Sequence, residues 1–177
     1  VGISQLDWDA GDYEQSVVSL QTAIAVQPAK VDLYQLLAEA YHSSGDSTLA
    51  IQTLSEAIDK AQDRETAWLA RADYYANQGK WDEAEADYQT AIQIFPYSQN
   101  AGLRLASFYT GRDDVPQALG VYQNLIGLPT VGAEAYNSLG DLYASKAGWG
   151  DALRAYRQAL LLDPQSSQAI IGLSRVL

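Results

Sequence analysis

An all-α fold, a solenoid of stacked helix-turn-helix pairs, is predicted for this 177-residue chain by two observations. Residue columns recur every 34 positions without a gap, and within each period the apolar spacing is helical. The first column reads Tyr41, Tyr75, Tyr109, Tyr143; a second reads Ala50, Ala84, Ala118, Ala152; a third reads Leu54, Tyr88, Tyr122, Tyr156. A fourth runs Tyr34, Trp68, Gly102, Tyr136 and a fifth Leu37, Arg71, Leu105, Leu139, each with one exception. These columns divide the chain into a partial repeat 1–30, full repeats 31–64, 65–98, 99–132 and 133–166, and a final helix 167–177, all in a single domain.

Each element has a basis in local chemistry. Tyr34, Leu37, Ala38 and Tyr41 fall on one stripe of a helix with 3.6 residues per turn, which makes the first helix of a pair. Gly45 and Gly79 stand where a left-handed backbone ends such a helix. Ala50, Leu54, Ala57 and Ile58 then form the apolar stripe of the second helix. Pro28, Pro96 and Pro164 stop second helices, Pro129 stops another one residue early, and Gln62 takes this place in the repeat without a proline. The alanine columns let helices cross closely while the aromatic columns fill the wedge between successive hairpins. Tyr13, Trp81 and Trp149 recur as well, so 13 of the 16 tyrosines and tryptophans have scaffold positions and aromatic enrichment needs no ligand to explain it.

Departures from the columns carry their own expectations. Gly102 replaces an aromatic, Asp113 a turn glycine and Leu125 an alanine, and Gly120 and Gly127 are placed in the same second helix. Interior glycine costs about 0.5–1 kcal/mol relative to alanine, so repeat 99–132 is expected to be the loosest. Arg71 is expected to run its stem along the core and reach a carboxylate at the edge.

Composition excludes several classes of function. Twenty-two acidic against eleven basic residues give a net charge of −11, which opposes nucleic acid and anionic lipid and favours a basic or neutral partner. Without cysteine there is no disulfide, no thiolate nucleophile and no cysteine-ligated metal. No apolar run reaches the roughly 18–20 residues that cross a bilayer, which predicts a soluble chain without membrane insertion. The compartment is left open between cytoplasm and periplasm. Methionine is absent even at position 1, and both ends cut a repeat, so a longer parent protein is expected, the alternatives being that the final helix is a cap or that its exposed face joins two copies.

Tyr136, Leu139, Gly140, Tyr143, Ala152, Tyr156 and Pro164 match a Trp-x2-Leu-Gly-x2-Tyr, Ala-x3-Phe, Pro signature, and by this the chain resembles the tetratricopeptide repeat family over essentially its whole length. The resemblance implies a right-handed α-α superhelix whose concave surface, lined by the first helices, binds extended peptides or helices. Opposite the core stripe lie Asp32, Gln35, Glu39 and His42; stepping by 34 adds Thr66, Leu69, Asp73 and Ala76, then Asn100, Leu103, Ser107 and Thr110, then Glu134, Asn137, Asp141 and Ala144. Of these, Asp32, Gln35, Glu39, Thr66, Leu69, Asp73, Asn100, Leu103, Ser107, Glu134, Asn137 and Asp141 are the candidate partner-binding groove. Its carboxylates can pair with basic side chains, its amides with peptide backbone, and Leu69 and Leu103 can take an apolar anchor. The family's clamp for chaperone C-termini needs lysines and an asparagine where Gln35, Glu39, Leu69 and Asp73 stand, so that use is disfavoured although Arg104 alone would fit.

Catalysis is not expected. His42 is the single histidine, no metal cluster or phosphate-binding loop is visible, and no cofactor is implied. Three functions fit the sequence: a scaffold or adaptor holding a protein or peptide, a homotypic assembly module using Ile170, Ile171, Leu173 and Val176 at the terminal helix, or the targeting segment of an enzyme whose catalytic domain lies elsewhere.

Overall fold

The computed structural model describes residues 13–177, and the described residues form ten α-helices: α1 (Tyr13–Val26), α2 (Val31–Ser43), α3 (Ser47–Lys60), α4 (Arg64–Asn77), α5 (Trp81–Ile94), α6 (Gln99–Gly111), α7 (Val115–Ile126), α8 (Ala133–Ser145), α9 (Trp149–Leu162) and α10 (Ser167–Val176). Each 34-residue span holds two helices. The start of the partial repeat, residues 1–12, and the side chain of Tyr13 lie outside the described residues. The chain falls into two compact units, Val1–Ala91 and Ile92–Leu177, with the division inside α5.

Helix starts are set by side chains that accept from otherwise unpaired first-turn N–H groups. Asp46 accepts from Leu49 N at 2.9 Å, Asp63 from Thr66 N at 3.0 Å, Ser98 from Ala101 N at 3.0 Å, Asp114 from Gln117 N at 3.3 Å and Ser166 from Ala169 N at 3.3 Å. The turn inside each hairpin uses one left-handed residue, and the four fall on one 34-residue column: Gly45 (φ 91°), Gly79 (φ 70°), Asp113 (φ 61°) and Ala147 (φ 57°). The backbone therefore keeps the same turn even where the sequence supplies a Cβ.

In the first unit, Tyr34 packs with Val31, Ala57, Ile58, Ala61 and Ala67, and its hydroxyl donates to Pro28 O at 3.0 Å. Leu20 of α1 packs with Leu33, Leu37 and Ala40 of α2. Between the second and third hairpins, Ala38, Ala50, Leu54 and Ala70 form a small-residue core closed by Tyr41 and Tyr74. Arg71 behaves as its column position requires. Its stem is covered, Nε and Nη2 donate to Asp87 at 2.7 and 2.8 Å, Nη1 donates to Ser55 Oγ at 2.9 Å, and the guanidinium lies 4.9 Å from the centre of the Trp68 ring. A buried fork of this kind satisfies both charges and ties three helices together.

In the second unit, Tyr156 packs with Ala152, Ala159 and Ala169, with Tyr136, Tyr143, Leu173 and Val176 around them. A Cβ on Gly140 would sit 2.6 Å, and on Gly172 2.4 Å, from the Tyr156 ring, so both glycines are demanded by close approach to one tyrosine. The departures in repeat 99–132 form a matched pair. Gly102 leaves a space that Leu125 fills, a Cβ on Gly102 would lie 2.4 Å from Leu125 Cδ2, and Leu125 is buried. Where other repeats put an aromatic against an alanine, this one puts a leucine against a glycine. Gly127 caps α7 at its C-terminus, outside the helix interior in which the sequence places it, because the helix ends at Ile126.

Candidate functional site

The candidate residues are carried on α2 and α4 in the first unit and on α6 and α8 in the second. In the first unit α2 and α4 touch along part of their length and border two openings. One is a hollow of about 500 Å³ lined by Gln35, Ala38, Glu39, His42, Leu54, Ala70, Asp73, Tyr74, Asn77 and Gln78. Its floor is the buried apolar set Ala38, Leu54 and Ala70, and its rim is polar. The other is a shallower opening bounded by Asp32, Gln35, Asp63, Thr66 and Lys30. Gln35 borders both. Asp32, Gln35, Glu39, Thr66 and Asp73, from two successive repeats, are thus brought to one face. The Thr66 hydroxyl donates to Asp63 Oδ2 at 2.7 Å, which engages it in the start of α4.

Orientation of the rim is set by hydrogen bonds. Tyr88 donates its hydroxyl to Asp73 Oδ1, which fixes that carboxylate from behind. His42 lies edge-on to Tyr74, with ring centres 5.7 Å apart and an interplanar angle of 87°, and its Nδ1 is 3.3 Å from the Tyr74 hydroxyl. Glu39 is exposed. Leu69, expected to serve as an apolar anchor, is 1% exposed and belongs to the core.

On the second unit Asn100, Ser107, Glu134 and Asp141 are exposed and Leu103 is half-buried. Asn137 is buried, with Nδ2 donating to Ser166 Oγ at 2.9 Å; it joins α8 to the start of α10 and does not line a surface. Asp141 repeats the arrangement of Asp73: Tyr156 donates to its Oδ1 at 2.6 Å, and Gln168 Nε2 donates to its Oδ2 at 2.7 Å. Burial, reinforced by the Asp141 carboxylate, pushes the Tyr156 phenol well above the ordinary tyrosine range.

Tyr74, Asn77 and Gln78 are lining residues that column reasoning passed over. Asn77 lies four residues after Asp73, on the same helix face, and Tyr74 is one of the three tyrosines and tryptophans that the recurring columns do not require. Those were the available signals. Among the described residues there is no group of three or more His, Cys, Asp or Glu side chains placed to hold a metal ion. No described helix is long and apolar enough to cross a membrane.

Two family models, both described as tetratricopeptide repeat, match residues 7–74 and 65–98, which together span 92 of the 177 residues. The chain belongs to the tetratricopeptide repeat family. Curated relatives of this tetratricopeptide repeat chain include the general transcriptional corepressor ssn6 of Schizosaccharomyces pombe, 32% identical over 52% of this chain and 8% of its own length. Human protein O-mannosyl-transferase TMTC1 is 27% identical over 76% of this chain and 15% of its own length. The chain therefore spans less than a sixth of these relatives. Among solved structures, a thermophilic protein of the same family from Thermus thermophilus superposes with a TM-score of 0.66 at 16% identity, covering 98% of this chain and 95% of that one. MamA superposes at 0.61 and 19% identity over 94% and 97%. YrrB, described as a TPR protein with an unusual peptide-binding site, superposes at 0.60 and 14% identity over 100% and 90%. These neighbours establish the all-α helical-repeat fold, and the family is a general scaffold for protein–protein interaction.

Proposed function

We propose that this chain is a non-catalytic adaptor that holds an extended segment of a partner protein against the first helices of its hairpins, with a preference for basic or neutral segments. The observation that carries this reading is the hollow between α2 and α4, where Gln35, Glu39 and Asp73 from two successive repeats converge on an apolar floor. An extended peptide needs that combination: amides for its backbone, carboxylates for its basic side chains and a dry surface for its stems. Asp32 and Thr66 prolong the face on the first unit. Exposed Asn100, Ser107, Glu134 and Asp141, with half-buried Leu103, supply a second such face on the other unit. The peptide-binding site reported for YrrB adds support from a protein of the same fold.

The test is site-directed photo-crosslinking with octapeptides selected on the protein from a random library. A photo-reactive residue at position 39 should capture the bound peptide, whereas the same group at position 52, on a different face of the first unit, should not. Capture at 52 alone, or at neither, refutes the inner-face reading.

A second reading, a homotypic assembly module, is favoured by one observation. On α10, Leu173 and Val176 pack inward, while Ile170 and Ile171 remain 52% and 50% exposed. Sedimentation equilibrium decides it: a concentration-dependent dimer that Ile170→Asp dissociates supports this module, and a monomer across the micromolar range removes it.

A further inference from the structure

Two successive repeats of the first unit treat the same space differently. In repeat 65–98, Arg71 sets its guanidinium 4.9 and 5.9 Å from the ring centres of Trp68 and Tyr75 and donates to Asp87 and Ser55. One period earlier, the positions of Arg71, Asp87, Ser55 and Tyr75 are held by Leu37, Thr53, Gln21 and Tyr41. Those four residues line a hollow of about 520 Å³ between α1, α2 and α3. Leucine is too short to fill the space that the arginine side chain takes up in the next repeat.

A polar group on the wall of this hollow points to an occupant. Thr53 is 6% exposed, yet its hydroxyl finds no hydrogen-bond partner among the described residues. Thr22, Ser55, Thr90 and Thr110 donate to the carbonyl four residues earlier in their helices. The other buried side chains Asp87, Asn137 and Ser166 are each hydrogen-bonded to a further side chain. An unengaged hydroxyl at this depth is costly unless something enters to meet it. Beside it, Gln21 Nε2 donates to Tyr41 Oη at 2.8 Å, which leaves Gln21 Oε1 as an acceptor and the phenol proton as a donor. Apolar walls come from Ile24, Pro28, Leu37 and Leu49, of which Pro28 and Leu49 are exposed and Ile24 is half-buried.

We infer that this hollow is a binding site for a neutral carboxamide, presented by a glutamine side chain of a partner protein. The methylenes lie on the apolar walls, the carbonyl accepts from Thr53 and Tyr41, and the NH₂ group donates to Gln21 Oε1. Charge selects the neutral group. A guanidinium or ammonium would be buried against Thr53 with no counterpart of Asp87 to pair it. A carboxylate would meet Glu56 at the rim, where Lys60 is already engaged, and the acidic excess of the first unit. The volume lies within the range of sites that enclose small polar groups. Different residues line this hollow and the one bordered by α2 and α4 apart from their common helix, so the inference goes beyond the inner-face reading and does not rest on it.

One side chain held alone reaches roughly millimolar affinity, so the test is an amide NMR titration through the millimolar range. The probe is N-acetylglutamine methylamide, with its glutamate and norleucine counterparts as controls. Saturable shifts should cluster at the backbone amides around Gln21, Tyr41 and Thr53, and both controls should bind about tenfold more weakly. Thr53→Val keeps the shape and removes the hydroxyl; it should weaken the glutamine probe about fivefold and leave the norleucine probe unchanged. Leu37→Arg with Thr53→Asp rebuilds the fork of the next repeat inside the hollow and should abolish binding. Shifts confined to other residues, equal affinity for the glutamine and norleucine probes, or affinity that survives Thr53→Val overturns the site. None of these outcomes bears on the inner-face reading, which crosslinking at position 39 tests separately.

Discussion

At the residue scale, the pairing of Gly102 with Leu125 shows how a repeat absorbs a departure from its own pattern. In repeat 31–64 Tyr34 meets Ala57, and in repeat 133–166 Tyr136 packs beside Ala159. Repeat 99–132 exchanges large for small on both sides of the same contact, so volume is conserved although each position alone looks anomalous. Leu125→Ala should lose about 3 kcal/mol by opening a cavity, and Gly102→Tyr about 2 kcal/mol or more by overpacking against Leu125. The double variant should recover most of both losses in a chemical-denaturation cycle. Strict additivity would show that the two residues do not share a space. The left-handed column makes a second residue-scale prediction. Ala147 at φ 57° bears a steric cost of about 1–2 kcal/mol that glycine avoids, so Ala147→Gly should stabilise by about 0.5–1 kcal/mol after allowing for the unfolded chain. Gly79→Ala, at φ 70°, should destabilise by a similar amount.

At the element scale, polar side chains on the helices divide between scaffold and surface in a way that only packing reveals. The 34-residue period exposes the helix pairs, their turns and the small-against-large logic, because those features repeat. It places Gln35, Glu39 and Asp73 on the face that the structure opens, because that register is fixed by the core stripe of the same helix. Leu69 and Asn137 share the register yet are buried. Asn137 is covered because α10 begins beside it, with Ser166 serving both that amide and its own helix N-terminus. A face pointing away from its own hairpin still meets the next helix of the stack, and a single-repeat pattern carries no information on how closely. Arg71 was legible for the opposite reason, since a lone arginine in a leucine column must find a carboxylate or unfold the stack. Removing it leaves Asp87 buried and unpaired, so Arg71→Ala should cost about 3–5 kcal/mol, whereas Arg71→Leu with Asp87→Leu should cost much less. Thermal unfolding of the single and double variants measures the difference.

The buried phenols give the same elements a pH limit. Burial raises Tyr34, Tyr75, Tyr122 and Tyr156 above the ordinary value of about 10, with nearby carboxylates adding to the effect. A group whose folded value is raised contributes stability that is complete below its unfolded value and is lost as the pH climbs towards the folded one. The midpoint of thermal unfolding should therefore hold up to about pH 10 and fall steeply above it. Tyr156→Phe should lower stability at neutral pH, because Asp141 loses a donor, yet reduce the slope above about pH 10. Unchanged slope in that variant would show that Tyr156 does not titrate with unfolding.

At the scale of the whole molecule, the division of charge predicts that the two units respond differently to salt. Among the described residues the first unit holds thirteen carboxylates against five cations, and self-repulsion among charges of one sign opposes its compact form. The second unit is balanced, so no net repulsion acts within it. Raising the ionic strength from about 0.01 M to 0.1 M shortens the screening length from about 30 Å to about 10 Å, which removes most of the repulsion across a unit of this size. The Arg71–Asp87 fork is partly shielded from this change by its burial. Amide exchange should therefore slow in α2 to α4 as salt is added, while α8 to α10 change little. Equal slowing in both units would mean that salt acts through general preferential exclusion and that the charge imbalance has no energetic consequence. The same addition should weaken a basic peptide held on the first unit, so stability and affinity are expected to move in opposite directions with salt. A parallel rise in both would contradict electrostatic attraction as the basis of that binding.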